Sequence, residues 1–390
     1  MAHGGGAALR QGLPVTNTAL LGHHRAMQLA PTLAWLVDAA QDCSGADRLL
    51  AELGAHLVGD GVPLAAGALT LDVPHPLIAK RTWLWRAESG EVIEALGFAP
   101  GGLAPDPPND AGRRWLRDIA GGEVHEDAVG RSDGPLLGWI GPRPFTADEI
   151  ERLRQAARFA ATPLAVLAGR ATLRATLDAY LGKRSAERVL AAPLRRDLGE
   201  TIQAALLYAD LRNFTILSEA TPPAQVIAAL DAWFDRIAGA VHAFGGEVLK
   251  FIGDGVLAIF PVLEASPRRA CDAALRAAGA AEAGMAYLNA ERRAQGLPPL
   301  AFGAALHLGE MLWGNIGAAN RLDFTAIGPA VNLASRLEGL CKQLGRTVLV
   351  SGALAAETDM PLIALGSHSL RGIAMPCEVF ALAKAEAPTS

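Results

Sequence analysis

Two short stretches of this sequence carry charge where an apolar pattern is otherwise kept. In VLKFIGDGVLAIF (248–260), Lys250 and Asp254 interrupt a run that reads as strand, turn and strand. In YADLRNFT (208–215), Asp210 follows an apolar strand and precedes a helix start. Lysine and aspartate are rarely buried without partners. A pair of carboxylates brought together at strand tips is a natural Mg²⁺ site, because that ion takes one or two carboxylates together with substrate phosphates. The glycines flanking Asp254 permit a tight turn and close approach of a ligand to the backbone. From Asn213 through Phe214 to Thr215, a turn opens a helix whose free N–H groups can hold phosphate oxygens. Taken alone, each aspartate reads as a turn former, and Asp254–Gly255 is a stock hairpin turn.

The elements that must position these residues follow from the surrounding pattern. AALLYADLRNFTIL (204–217) reads as strand, acidic turn and helix start, and AQVIAALDAWFDRIAGAVHAFG (224–245) as a long amphipathic helix stopped at Gly245–Gly246. A helix covers about 266–293, and FGAALHLGEMLWGNIG (302–317) reads as two strands around a glycine turn. NLASRLEGLCKQLG (332–345) is a helix with a glycine stop, and TVLVSG (347–352) is a strand. Strands and helices alternating in this way predict a compact α/β domain over 197–386.

The first half has its own pattern. A poorly ordered start is expected over 1–27, then helices around 28–41 and 45–59. Strand-like runs follow at 64–73, in RTWLWRA and in EVIEALGF, the last two split by Glu88, Ser89 and Gly90 as in a hairpin. A short helix at 111–122, a strand at 134–141 and a helix with a Thr146/Glu149 capping box complete a small α/β sensor-like domain over 28–165. Trp83, Trp85 and Trp139 fit its core better than a ligand pocket. Small or apolar residues recur from Ile150 through Leu153, Ala157, Ala160, Leu164 and Leu167 to Ala171. This stripe predicts a parallel seam between two protomers, with one amphipathic helix packed on its own domain as the alternative. A helical linker is expected over 166–196, with the polar APLRRDLGE (192–200) as a boundary.

Composition narrows the setting. At 390 residues, two domains are the default. A net charge of −5 gives no reason to expect nucleic acid or an anionic membrane as partner. Cys43, Cys271, Cys341 and Cys377 are scattered without metal-ligand spacing, consistent with reduced thiols in a cytoplasmic protein. No apolar run is long enough to span a bilayer, and the N-terminus lacks signal-peptide character.

Read together, YADLRNFTILSE, GGEVLKFIGDGVLAIF, LHLGEMLWGNIG, RLDFTAIGPAVNLASRLE and LRGIAMPCEVFAL resemble the class III nucleotidyl cyclase catalytic domain, in order and spacing, over almost all of 200–384. The resemblance implies a ferredoxin-like α/β fold and a homodimer with two composite sites. It implies two Mg²⁺ or Mn²⁺ ions held by Asp210, Asp254 and the main chain at Leu211. From the other protomer it implies Lys250 and Thr325 on the purine, with Asn332 and Arg336 orienting the ribose and stabilising the transition state. Arg371 stands where the family commonly has a phosphate-contacting lysine. GWIGPRPFTADEIERL (138–153) looks like the end of a GAF-type sensor domain, implying an unidentified small-molecule regulator.

Base choice follows from donors and acceptors. A lysine donor with a threonine acceptor suits adenine, whereas guanylyl members usually present glutamate at the lysine position. The threonine variant resembles the subclass akin to bicarbonate-responsive bacterial and soluble cyclases. The expected activity is conversion of ATP to cyclic AMP, with a guanylate cyclase or a catalytically silent nucleotide sensor as alternatives. One departure is visible: Gly303 replaces an arginine that in many members reaches the polyphosphate. His307 reads as a packed strand residue.

Overall fold

The protein divides into two units, Met1–Ala171 and Thr172–Ser390. The structure, a computed structural model, describes residues 29–72, 78–98, 111–120, 122–191, 199–262, 266–318 and 320–383. The start expected to be poorly ordered (1–27) lies outside these residues, as do 192–198 of the polar boundary stretch.

In the first unit the chain forms α1 (Pro31–Asp38), α2 (Ala46–Gly59), β1 (Ala66–Asp72), β2 (Ile78–Arg86), β3 (Val92–Phe98), α3 (Ala111–Ala120), β4 (His125–Ala128), β5 (Leu136–Ile140), α4 (Ala147–Phe159) and the first half of α5 (Ala161–Leu181), whose second half belongs to the second unit. The five strands make an antiparallel sheet in the order β3-β2-β1-β5-β4. Strand alternation sends Leu69, Trp83, Trp85, Leu137 and Trp139 into one core with α1, α2 and α4. Ala66, Ala68, Leu84 and Ile140 pack with Leu116 of α3 in a second cluster. The tryptophans are core residues, as expected. At the start of α4 the capping box forms: Glu149 N donates to Thr146 Oγ1 at 3.4 Å, and Thr146 N donates to Glu149 Oε2 at 2.7 Å.

The expected seam needs correcting. Leu153, Ala157, Ala160, Leu164 and Leu167 are all buried in the first unit's own core. Side chains committed there cannot also face a partner protomer, so over this span the stripe is the packed face of α4 and α5. Pro163 falls in the first turn of α5, where a missing N–H is tolerated. Only beyond it do Leu173 and Tyr180 stand exposed.

The second unit continues with α6 (Lys183–Ala191), β6 (Gly199–Leu211), α7 (Phe214–Ala220), α8 (Pro223–Ala243), β7 (Glu247–Ile252), β8 (Gly255–Pro261), α9 (Pro267–Ala294), β9 (Phe302–Ala318), β10 (Arg321–Ile327), α10 (Pro329–Glu338), β11 (Val348–Ser351), α11 (Gly352–Ala355), β12 (Leu362–His368) and β13 (Cys377–Leu382). Its sheet runs β12-β13-β11-β9-β6-β8-β7, with β10 paired to β9. Central strand β6 is covered on both faces, which is why AALLYA reads as a continuous apolar run. Ala205, Leu207, Ala209 and Leu211 pack on α8 and α9, while Ala204 and Leu206 pack with Ala330 and Ala334 of α10. Glu247, at the start of β7, is buried; its Oε1 accepts hydrogen bonds from Ser185 N and Ser185 Oγ of α6, each 3.1 Å.

Three expectations are revised. Residues 302–318 form one 17-residue strand, not two strands around a turn. Gly309 sits mid-strand because a Cβ there would lie 2.7 Å from the Ala330 methyl carbon, so the glycine admits α10. The chain reverses after Ala318 instead, into β10. The helix expected over 332–345 starts earlier, at Pro329, and ends at Glu338. Gly199 and Glu200, read as boundary, already belong to β6.

Candidate active site

Asp210 is the penultimate residue of β6, opposite Gly303 on β9. Asp254 lies in the two-residue loop joining β7 and β8, since Ile252 pairs with Gly255 across it. Because β8 pairs with β6 up to Ala209↔Val256, this loop is delivered beside Asp210. The left-handed backbone falls on Gly253, with φ 65°, so the hairpin turn is Gly253–Asp254 and not the Asp254–Gly255 expected. Trp233 of α8 donates its indole N–H to the Asp254 carbonyl at 2.9 Å and pins the loop from behind.

The surroundings of Asp210 perturb its carboxyl group. Burial, with the neighbouring Asp254 carboxylate and the Glu338 charge, pushes the Asp210 pKa up to about 7. Asp210 Oδ1 is buried without a hydrogen-bond partner. A divalent cation answers both conditions, giving the orphaned oxygen a ligand and offsetting the repulsion. Among the described residues no group of three or more His, Cys, Asp or Glu is arranged to hold a metal. The pair therefore fits a Mg²⁺-like ion completed by phosphate oxygens rather than an all-protein cage.

Lys250 of β7 donates from Nζ to Asp323 Oδ2 on β10, and Thr325 lies two residues further along the same face of that strand. Thr325 is buried, whereas Asn332 and Arg336 stand exposed one turn apart on α10. Within the chain, no hydrogen bond or ion pair among the described residues joins either to the aspartates.

The family profile described as "Adenylate and Guanylate cyclase catalytic domain" matches residues 199–372. Most of the second unit thus resembles an adenylate and guanylate cyclase catalytic domain. "Adenylate cyclase 1" of Rhizobium meliloti (strain 1021) is 38% identical over 155 residues, 40% of this chain and 23% of that protein. "Adenylate cyclase" of Anabaena cylindrica is 33% identical over 165 residues, 41% of this chain and 32% of that protein. The match thus spans under a third of either relative. A solved bacterial light-regulated adenylyl cyclase superposes with a TM-score of 0.50 at 20% identity, covering 67% of this chain and 86% of that one; this likeness concerns the fold.

In the second unit, Leu211 buries its side chain in the core and leaves its main chain beside Asp210. Asn213 takes a left-handed φ of 61° before α7, a helix of only 7 residues. Thr215 is exposed and Phe214 packs on the core. Arg371 is exposed in the turn between β12 and β13. His307 is buried, 2.8 Å from Ser351 Oγ through Nδ1, and burial lowers its pKa to about 4. It is a packed strand residue, as expected.

Three neighbours of the aspartates escaped sequence reading: Trp233, Tyr208 and Glu338. The Tyr208 phenol is raised in pKa by burial and by the Asp210 charge. Glu338 fills the space that Gly303 leaves, since a Cβ there would collide with its Oε1. Burial raises the Glu338 pKa and the Arg212 charge lowers it. A signal for Glu338 existed, because it is four residues past buried Ala334 and so in the inward phase of α10.

Proposed function

We propose that this protein is an adenylate cyclase converting ATP to 3′,5′-cyclic AMP and pyrophosphate in a homodimer with two composite sites. The observation that carries this reading is the Asp210–Asp254 pair at the end of β6, with a buried, unpartnered carboxylate oxygen. Asp210, Asp254 and the Leu211 main chain would hold two Mg²⁺ or Mn²⁺ ions. Such ions, when bound, favour ionisation of the ribose 3′-hydroxyl and offset charge on the triphosphate.

The remaining roles belong to side chains. Lys250 donates to a purine ring nitrogen, and the Thr325 hydroxyl accepts from the adenine amino group. Asn332 orients the ribose. Arg336 places a planar cation where charge grows as the O3′–P bond forms and the bond to pyrophosphate breaks. Arg371 and the N–H groups around Asn213, Phe214 and Thr215 contact phosphate. The exposure of Asn332 and Arg336, whose side chains have no hydrogen bond or ion pair among the described residues, suits side chains that serve a partner protomer's site. The first unit is a GAF-like regulatory domain that binds an unidentified small molecule.

The test is cyclic nucleotide production by the purified chain from ATP and from GTP, with Mg²⁺ or Mn²⁺. Cyclic AMP in clear excess is expected. Equal or better turnover of GTP makes the protein a guanylate cyclase instead, and no product from either makes it a silent sensor.

A further inference from the structure

We propose that the cavity between α6 and the sheet of the second unit is a binding site for a small amphipathic carboxylate, its anionic head on Arg184 and its apolar body against Trp313. The proposal stands apart from the cyclic nucleotide reading. Arg184, Glu187 and Arg188 recur at helical spacing and so lie on one face of α6. Glu200 of β6 and Trp313 of β9 are cross-strand partners, and Ile202 lies two residues further along β6, so all three share a face of the sheet. The helix face and the sheet face line a cavity of about 450 Å³, a size that suits a small molecule.

Most of the charge on the cavity wall is already committed. Arg188 pairs with Glu200 at 2.6 Å and lies over the Trp313 ring at 4.4 Å, and Glu187 pairs with Arg174 at 2.8 Å. Arg184 is different. Its Nη2 reaches the Gly245 carbonyl only at 3.5 Å, and Glu247 Oε2 stands 4.0 Å from its Nε. Its Nη1 is buried with no hydrogen-bond partner among the described residues. The same holds for the indole N–H of Trp313, a residue only 3% exposed. Buried donors without acceptors are rare, and two on one cavity call for a ligand that brings oxygen to both. A guanidinium holds a carboxylate through parallel hydrogen bonds. Ile202, Val262 and the Trp313 ring offer the rest of the ligand an apolar bed. A bare inorganic anion would leave that bed unused, and a neutral apolar molecule would leave both donors unpaired.

The experiment titrates the full chain with cinnamate by calorimetry, using cinnamamide as the neutral counterpart. One site per chain is expected, at least about tenfold tighter for the carboxylate than for the amide. Arg184→Gln should weaken cinnamate binding about tenfold and erase that preference. Trp313→Phe keeps most of the ring, loses the N–H and should weaken binding about threefold to tenfold. Ala191→Phe, which fills the cavity and leaves both donors in place, should abolish binding. Arg269→Gln, in an adjoining cavity of about 260 Å³ that shares Arg184, should change nothing. No saturable binding of cinnamate at millimolar concentration, equal affinity for the amide, or full affinity in Arg184→Gln overturns the proposal. So does a loss in Arg269→Gln matching that in Arg184→Gln, which would move the anion to the adjoining cavity. Thermal unfolding checks each variant. If Arg184→Gln melts early, Trp313→Phe and Ala191→Phe decide, because both leave Arg184 beside Glu247, and full affinity in both overturns the site.

Discussion

Along one face of β6, Ala205, Leu207, Ala209 and Leu211 stay apolar to the end and bury against α8 and α9. Along the other, Ala204 and Leu206 give way to Tyr208 and Asp210, and neighbouring elements bring Asp254 and Glu338 to meet them. The same strand thus has a face that holds the domain together and a face that turns polar only in its last turn of alternation. Stability and chemistry are separated by the strand's period of two, so each can be changed with limited damage to the other.

The sharpest test of that separation sets the two faces side by side. Asp210→Ala or Asp254→Ala should cut turnover at least about 100-fold, because one carboxylate cannot hold both ions in register, while far-UV circular dichroism stays native. Leu207→Asp, on the opposite face, should remove at least about 3 kcal/mol of stability by burying an unpaired charge, read by thermal or urea unfolding. An inactive Leu207→Asp protein with native stability would break the comparison.

The polar face should also be shared between chains. Asp254→Ala and Arg336→Ala homodimers are each expected to be dead. Mixing them should recover about one quarter of wild-type activity, since half of the dimers are mixed and each has one intact site of two. Differentially tagged mixed dimers without activity would rule out composite sites.

Trp233 is where the faces meet, reaching from α8 to the Asp254 carbonyl. Trp233→Phe keeps most of the packing and loses the hydrogen bond. It should cost about 1–2 kcal/mol of stability and lower kcat about tenfold by loosening the loop. Loss of stability without loss of kcat would show that the loop holds its place unaided.

The smallest effect concerns protons. With its pKa raised from 3.8 to about 7, Asp210 binds a proton more tightly folded than unfolded. Its contribution to stability is full below pH 4 and lost as pH rises to about 7, amounting to about 1 kcal/mol after allowance for solvent screening of a half-exposed group. Melting temperature in EDTA should therefore decline over that range. Asp210→Asn should abolish this part of the decline, and Mg²⁺ with nucleotide should oppose it.

Features built from neighbouring residues were legible. The Thr146/Glu149 cap, the β2–β3 hairpin and the glycine stop of α8 each need only local chemistry. Asp210 and Asp254 could be singled out because charge inside an apolar strand pattern is conspicuous. What sequence reading missed depends on distant partners. Gly309 resembles a turn residue until α10 is seen against it. Asp323 is 73 residues from Lys250, with nothing local to join them. The stripe through Leu153 and Leu164 has one period whether it faces a partner or its own core, so pattern alone could not choose. The short, polar β4 carries no strand signal, with four residues and no apolar alternation.

Glu247 bears on where the second unit begins as a physical object. The family match starts at residue 199, yet the groups that satisfy the buried Glu247 carboxylate lie on α6, at Ser185. Excising the domain at 199 leaves a buried carboxyl group with its Ser185 donors gone, at the head of the strand that carries Lys250 and leads to Asp254. A fragment starting before Lys183 keeps that carboxylate solvated by protein. The stretch that the family profile matches is therefore shorter than the part that satisfies Glu247, and α6 packs as a member of the second unit.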